Sequence, residues 1–417
     1  MAKQYKKIVE KLNIILSNAE LIPDTYPLRE KLRGTMHLNS EGSYTVFYIQ
    51  DADRTLYIET LKELYALNKE VQSSYTFKTI EKLIENALYI AKTQGELITD
   101  NTIVDIIKKL LDVEKIEYEI VHTISGAMFI QKVEFNNFFF SNYEEIKSHT
   151  TVTYMNGNPS GLDNVAFEEM SKSNAFVCVK VEARENEKAK ELAYEKMKKI
   201  EAVMRFFAAA YGEVYDIGIF DFRGYNVDSA YIFSQENIGE SSHCSGRFCD
   251  IDWIDFYGKY KQYLDELFKL IFKPSLNEME KRILLGVTFC SRATFDRENA
   301  VGFLEAMMAI EALLQANSEG IVTPSITYQI TEYCAFLLNS KLEGRKRLDK
   351  IIRNMYTIRS KISHGKQDAI EKSDYEQLWY IATHLIVLFL SDEKLKNMKN
   401  FTELQDHIKE LKYCTKE

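Results

Sequence analysis

An arginine and a histidine five positions apart, Arg359 and His364, are the residues whose types and spacing best suit chemistry. An imidazole can take up or release a proton near neutral pH, so histidine serves as a general acid or base. A guanidinium is a permanent cation, and its planar fork of N–H donors fits phosphate oxygens. These two side chains are sufficient, in principle, for cleavage of an RNA phosphodiester without a metal ion.

The segment 344–364 around these residues has the periodicity of an amphipathic helix. Its apolar residues recur at intervals of three and four and form one stripe: Leu348, Ile351, Ile352, Met355, Tyr356, Ile358 and Ile362. Arg359 falls near the middle of that stripe, where a charge is costly unless it is paired. Gly365 predicts a left-handed cap after the last turn, which leaves His364 on the polar side and open to solvent.

A carboxylate on another predicted helix is the expected partner of Arg359. The helix predicted over 299–315 has its own apolar stripe, and Glu311 lies inside that stripe, whereas Glu305 lies at its edge. Two opposite charges that both face a core are most simply explained as a pair. We therefore expect Glu311 to orient Arg359 as a supporting residue without itself doing chemistry.

Basic residues are concentrated around the same helix. Between Lys341 and Lys366 there are nine lysines and arginines and two acids, a local charge of +7 in a chain of net charge −9. A local basic surface is the electrostatic footprint expected for a phosphate backbone. The alternative is a solvated helix face. The candidate RNA-binding residues are Lys346, Lys350, Arg353, Lys361 and Lys366.

Three segments in order, 309–314 (AIEALL), 326–332 (ITYQITE) and 356–365 (YTIRSKISHG), resemble the Apea-like branch of the HEPN family. The resemblance covers roughly residues 255 to 395. It implies a helical bundle that cleaves RNA without metal or cofactor, with Arg359 and His364 as catalytic residues and Ser360 as a secondary contributor. It also implies a site formed where two bundles meet in a homodimer.

The same resemblance implies a role as a toxin or in anti-phage defence, with an antitoxin or a phage-derived trigger as a further partner. Two departures from the family pattern stand out. Ser360 occupies a position where many characterised HEPN nucleases carry Asn, Asp or His. Lys366 stands two residues after the histidine, where nucleotide-silenced HEPN toxins carry a tyrosine.

Two other functions remain open from the sequence. In the first, the bundle is a non-catalytic module for dimerisation or for binding a nucleotide or RNA, and Arg359 only pairs with Glu311. In the second, the N-terminal region recruits another effector and the chain is an adaptor. Spacing alone does not decide among them, because an arginine and a histidine at this interval also occur by chance.

Composition describes an ordinary globular chain of 417 residues, 46% hydrophobic and 28% charged. No secretory signal or apolar run long enough to span a bilayer is evident, so we expect a cytoplasmic protein without a membrane partner. The six cysteines are then expected to be free thiols. His243, Cys244 and Cys249 could begin a zinc site, but no second ligand pair follows, and we predict no metal.

The predicted organisation is an α+β multidomain chain. It comprises an N-terminal helical region over 1–115, a small α+β domain over 116–245 with a possible sensing role, and an all-α HEPN bundle over 250–417. Within the middle region we predict a β-hairpin over 116–135 broken at Ser125 and Gly126. Further strands are predicted at 152–154, 176–183, 216–222 and 229–233, with a helix at 186–211. Ser373 is predicted to begin a helix through a capping box with Glu376.

Overall fold

The structure is a computed structural model, and it describes most of the chain: residues 2–23, 35–38, 44–154, 167–168, 170–210, 217–220, 226–233, 238–245, 251–295, 298–316, 326–365 and 370–413. These residues form mainly helices, with small sheets, so the chain is of the α+β class. Its contacts divide it into two compact units, 1–120 with 180–194, and 121–179 with 195–417. This division differs from the three-part prediction, because residues 121–179 and the C-terminal helices belong to the same unit.

Among the described residues up to 120, the first unit has five helices that pack their apolar faces together. They are α1 (Ala2–Asn18), α2 (Asp51–Leu67), α3 (Lys69–Ser74), α4 (Phe77–Gln94) and α5 (Asp100–Leu111). A three-stranded antiparallel sheet of order β1–β3–β2 accompanies them, with strands β1 (Glu20–Pro23), β2 (Thr35–Leu38) and β3 (Tyr44–Tyr48). The sequence did not predict this sheet, because strands of four or five residues carry little periodic signal.

A four-stranded sheet of order β4–β8–β7–β6 contains strands β4 (Ile116–Thr123), β6 (Val133–Phe135), β7 (Phe138–Ser141) and β8 (Phe176–Ala183). The predicted hairpin over 116–135 is therefore wrong, because β4 lies beside β8. The chain leaves the sheet at Ser125, which pairs with Gly218, and passes through Gly126 at φ 75° into β5 (Ala127–Met128). Strand β5 pairs with β11 (Ile251–Asp252). The hairpin that forms is β6–β7, with Phe135 opposite Phe138.

Other predictions for the middle region have mixed outcomes. The predicted strand at 152–154 is wrong, because these residues end helix α6 (Tyr143–Tyr154). The strand at 176–183 and the helix at 186–211 are confirmed by β8 and by α7 (Asn186–Ala210). The strand at 229–233 is part of β9 (Asn226–Phe233), which pairs with β10 (Ile238–Ser245). In place of a strand over 216–222, the described residues 217–220 contain a single bridge.

In the described part of the C-terminal region eight helices follow: α8 (Trp253–Phe272), α9 (Glu278–Phe295), α10 (Asn299–Leu314), α11 (Ile326–Leu338), α12 (Leu342–Ser363), α13 (Lys372–Ser391), α14 (Glu393–Lys396) and α15 (Phe401–Tyr413). Helix α10 contacts α9 and α13 most extensively, and α12 contacts α11. Side chains on α10 such as Phe303, Met307 and Ile310 are fully buried. An apolar central helix that shields its neighbours from water explains how this bundle acquires a core.

Two local features define how the bundle closes. Gly302 of α10 lies so close to the preceding helix that a Cβ there would be 2.9 Å from the carbonyl oxygen of Ala293, so a larger side chain does not fit. Helix α13 begins at Lys372, and its capping box pairs Glu371 with Asp374. The predicted start at Ser373 and the predicted capping role of Glu376 are therefore wrong by one or two positions. None of the described helices has the length and apolar character needed to cross a bilayer.

Candidate functional site

Helix α12 carries the arginine and the histidine, and its end is built as the sequence predicts. Its buried residues are Leu348, Ile352, Met355, Ile358 and Ile362. The helix ends at Ser363, and Gly365 adopts φ 78° and donates its N–H to the Ile362 carbonyl at 2.9 Å. His364 lies between them as the C-terminal cap and is exposed. A left-handed glycine thus stops the helix one residue after the imidazole.

Arg359 pairs with Glu311, which confirms the predicted contact. Arg359 Nε lies 3.4 Å from Glu311 Oε1, and the two side chains are 42% and 14% exposed. The guanidinium is therefore half-exposed at the edge of the bundle and not enclosed in it, although its Cα lies on the apolar stripe. Its terminal nitrogens form no hydrogen bond with another described residue. Those two donors are available to a ligand from solvent.

Tyr356 is a further member of the site that the sequence analysis treated as an apolar residue. Its hydroxyl donates to Glu311 Oε1 at 3.2 Å. Burial raises the pKa of Tyr356, and the negative charge of Glu311 raises it further, so the hydroxyl stays protonated. One carboxylate oxygen therefore receives both Tyr356 and Arg359, which fixes the position of Glu311. A tyrosine on an apolar stripe was the available signal, since a buried hydroxyl requires a partner.

Arg359 and His364 are not on the same side of their helix. Five residues correspond to a rotation of about 140° and a rise of roughly 7.5 Å in an α-helix. Ser360 and His364, four residues apart, do share a side. Both are exposed, and the Ser360 carbonyl accepts the His364 N–H at 3.2 Å. The motif of one chain therefore presents its guanidinium and its imidazole in different directions.

The predicted RNA-binding residues fall into two groups. Lys346 pairs with Glu343 at 3.2 Å, and Arg353 pairs with Asp349 at 2.9 Å. Lys350 and Lys361 are also exposed, but neither forms an ion pair with a described acidic residue.

Lys366 lies outside the described residues. Arg347 was not among the predicted RNA-binding residues, although it belongs with the unpaired group: it is exposed and has no acidic partner in the described part of the chain. At about 100° per residue, Arg347, Lys350 and Lys361 fall on one side of α12. We call these three residues the unpaired basic stripe.

A groove of about 480 Å³ lies beside Glu311, lined also by Leu285, Phe289 and Met308. Arg282 borders it but is committed to the fold. Its Nε and Nη2 donate to Glu278, and its Nη1 donates to the carbonyls of Ala312 and Gln315. A group bound at Arg359 would thus have Glu311 and an apolar depression next to it.

Within the described ranges, no group of three or more His, Cys, Asp or Glu side chains is placed to hold a metal ion. The side chains of His243, Cys244 and Cys249, considered above for zinc, lie outside the described residues. Cys178, Cys290 and Cys334 are buried and form no disulfide, as predicted for these three. Burial raises the pKa of Cys290, so this thiol is not a reactive thiolate.

Comparison with known proteins adds no relative to these observations. No family model, no curated protein and no solved structure matches the chain. The resemblance to HEPN proteins therefore rests on the three sequence segments described above.

Proposed function

We propose that this chain is a metal-independent endoribonuclease of the HEPN type, acting in the cytoplasm as a toxin or in anti-phage defence. The observation that carries the proposal is the half-exposed guanidinium of Arg359, paired with Glu311 through Nε while its terminal nitrogens have no hydrogen-bond partner among the described residues. An arginine that binds phosphate needs free, oriented donors, which is what Arg359 has.

The proposed reaction uses the RNA's own 2′-hydroxyl as the nucleophile. Its oxygen forms a bond to phosphorus while the bond from phosphorus to the 5′-oxygen breaks. One proton leaves the 2′-hydroxyl and one reaches the departing 5′-oxygen, and His364 is the group proposed for these transfers. Arg359 stabilises the charge that accumulates on the phosphoryl oxygens. The products are a 2′,3′-cyclic phosphate and a 5′-hydroxyl.

A homodimer is part of the proposal, because the motif of one chain does not gather both groups. The rotation of about 140° between Arg359 and His364 leaves room for a second copy to complete the site. Two copies also supply two imidazoles, one as a base and one as an acid. Ser360, next to Arg359 and on the side of His364, is the proposed secondary contact to the RNA.

The test uses purified wild type and His364→Ala with a structured RNA in excess EDTA. His384→Ala is the matched control, because His384 is another exposed helical histidine of the same bundle. We expect wild type and His384→Ala to produce 2′,3′-cyclic phosphate ends, and His364→Ala to produce none. Sequencing of RNA ends after induction in cells identifies the target. Cleavage that requires Mg²⁺, or that persists in His364→Ala, would contradict the proposal.

A non-catalytic module for dimerisation or for binding a nucleotide or RNA is the second candidate. The observation in its favour is the ion pair itself, since Glu311 gives Arg359 a role in the bundle without any reaction. On this alternative the purified chain binds RNA or a nucleotide and leaves RNA intact. Gel-shift and cleavage assays on the same sample separate the two functions.

A further inference from the structure

A concavity of about 640 Å³ lies between the β6–β7 hairpin and helix α8, and no step of the proposed cleavage uses it. Its volume falls within the range of small-molecule sites, roughly 300 to 1,000 Å³. Its lining residues come from well-packed elements: the hairpin, helix α8 with Lys273 after it, and the start of α9. A pocket between such elements is largely formed before any ligand arrives.

One wall of this pocket is a column of parallel aromatic rings. The Phe135 and Phe138 ring centroids are 4.4 Å apart with an interplanar angle of 4°, and those of Phe138 and Phe272 are 5.1 Å apart with an angle of 9°. Phe138 is fully buried, whereas Phe135 and Phe272 are partly exposed and line the pocket. The outer face of Phe135 or of Phe272 gives a planar ligand an aromatic surface to pack against.

A fixed polar triad lies on the α8 side of the pocket. The Tyr257 hydroxyl donates to Asp265 Oδ1 at 2.8 Å, and Lys261 Nζ donates to the Tyr257 hydroxyl at 2.6 Å. The hydrogen bond with Tyr257, and then that with Asp265, raises the pKa of Lys261, so its ammonium stays charged. A charged lysine is not a nucleophile. The triad therefore offers rigid donors and acceptors for binding.

The hairpin turn supplies a second set of polar groups. Asn136 and Asn137 form the two-residue turn between β6 and β7, and both are exposed and line the pocket. Their side-chain amides form no hydrogen bond with another described residue. Each amide has a donor and an acceptor side by side. Such groups match the edge of a nucleobase, which also carries adjacent donors and acceptors.

The charges around the pocket decide which ligand class fits. Three lysines (Lys261, Lys269 and Lys273) face three carboxylates (Glu134, Asp265 and Glu280), and Lys273 pairs with Glu280 at 2.6 Å. The lining is therefore neutral and offers no excess positive charge to a phosphate. We infer that this pocket binds the base of an uncharged nucleoside, stacked against Phe135 and read by the Asn136–Asn137 turn and the Tyr257 triad. Nothing in this inference depends on RNA cleavage.

The experiment is a calorimetric titration of the full chain with adenosine, guanosine, cytidine and uridine, each also as its 5′-monophosphate, and with inorganic phosphate. We expect saturable binding of at least one nucleoside, with the matching monophosphate binding no more tightly. Phe135→Ala is expected to weaken that binding by roughly fivefold or more, since the variant loses the stacking of the base on an aromatic ring. Tyr328→Ala, at another half-exposed aromatic, is expected to leave it unchanged.

Asn137→Ala provides a second test in case the Phe135 variant misfolds, because Asn137 is an exposed turn residue and its substitution leaves the core intact. We expect it to weaken nucleoside binding about threefold to tenfold while the unfolding temperature stays constant. Three results would overturn the inference. They are no saturable binding of any nucleoside at millimolar concentration, binding only of monophosphates or inorganic phosphate, and nucleoside binding that both pocket variants retain in full.

Discussion

Two arginine–carboxylate pairs in this protein have the same chemistry and different roles. Arg205 and Glu201 are 9% and 6% exposed, with Nη2 and Oε1 2.9 Å apart. Arg205 Nε donates to the Ile217 carbonyl at 2.6 Å. Glu201 Oε1 also accepts the backbone N–H of Ile219 at 2.7 Å. This pair is enclosed, and it fixes a loop to helix α7.

Arg359 and Glu311 differ from that pair in exposure and in occupancy. Arg359 is 42% exposed and meets Glu311 through Nε at 3.4 Å, whereas the Tyr356 hydroxyl occupies the same carboxylate oxygen. The Glu311 carboxylate is thus held by a hydrogen bond within the bundle, and this carboxylate orients the Arg359 guanidinium. A charge pair that is buried and hydrogen-bonded is costly to break at one partner only, whereas a pair with open donors can bind an external anion. Exposure and open donors, rather than the pairing itself, separate the two roles.

The largest effect is expected at the enclosed pair. Arg205→Ala leaves the Glu201 carboxylate buried without its cation, and breaking a buried pair costs about 3–5 kcal/mol of unfolding free energy. Urea denaturation monitored by circular dichroism measures this loss. Replacing both residues with Met and Leu removes both charges, and we expect that double variant to recover part of the stability. An Arg205→Ala protein as stable as wild type would mean that the enclosed pair does not contribute more to stability than the exposed pair.

At the exposed pair we expect a small effect on stability and a large effect on activity. Arg359→Ala is expected to change the unfolding free energy by less than about 1 kcal/mol, because exposed ion pairs contribute little. RNA cleavage is expected to fall roughly 100- to 1,000-fold, the usual loss on removal of one oriented donor to a developing charge. Arg353→Ala is the matched control, since Arg353 is an exposed arginine on the same helix, paired with Asp349. If both variants cleave alike, Arg359 is structural.

A substitution of Tyr356 tests whether the orientation of Arg359 by Glu311 affects cleavage. Tyr356→Phe removes the hydroxyl that positions Glu311 and keeps the ring packed, and we expect a loss of about 1 kcal/mol in stability. Cleavage is expected to fall about threefold to tenfold through kcat, with KM unchanged, because Tyr356 acts through Glu311 on Arg359. Glu311→Gln keeps a hydrogen-bond acceptor for the hydroxyl and is expected to lose activity similarly. A change in KM alone would mean that Tyr356 does not position the reacting groups.

Helix α12 and its stop at Gly365 follow from the sequence because they depend on residues one or two helical turns apart, and the Arg359–Glu311 pair follows because both charges lie on apolar helix faces. Helix α12, its stop at Gly365 and the pairing of Arg359 with Glu311 required only helical periodicity and the cost of an unpaired charge. The strand pairing in the middle region did not follow. Strand β4 reads as half of a hairpin, but its neighbour β8 begins at Phe176, far along the chain.

Charge pairing along α12 was missed, although its spacing was present in the sequence. Local composition gave a net basic segment, but Glu343 with Lys346 and Asp349 with Arg353 have the i, i+3 and i, i+4 spacings at which helical side chains pair. The structure shows these pairs, and it leaves the unpaired basic stripe as the remainder. The difference between Arg205, whose donors are paired within the fold, and Arg359, whose terminal donors are not, is therefore also found among the cations of α12. There we expect smaller effects on free energy.

The smallest effect concerns this stripe. In Lys350→Ala with Lys361→Ala, two cations open to phosphate are lost, so the slope of log affinity for single-stranded RNA against log salt is expected to fall by about 1.4. Binding should weaken at low salt and converge with wild type at high salt, as fluorescence anisotropy would show. The control, Lys346→Ala with Arg353→Ala, removes the same charge from pairs that Glu343 and Asp349 already neutralise, and its slope should change by less than half as much. Equal slopes for both double variants would mean that the ion pairs on α12 open when RNA binds, and that pairing does not distinguish these cations.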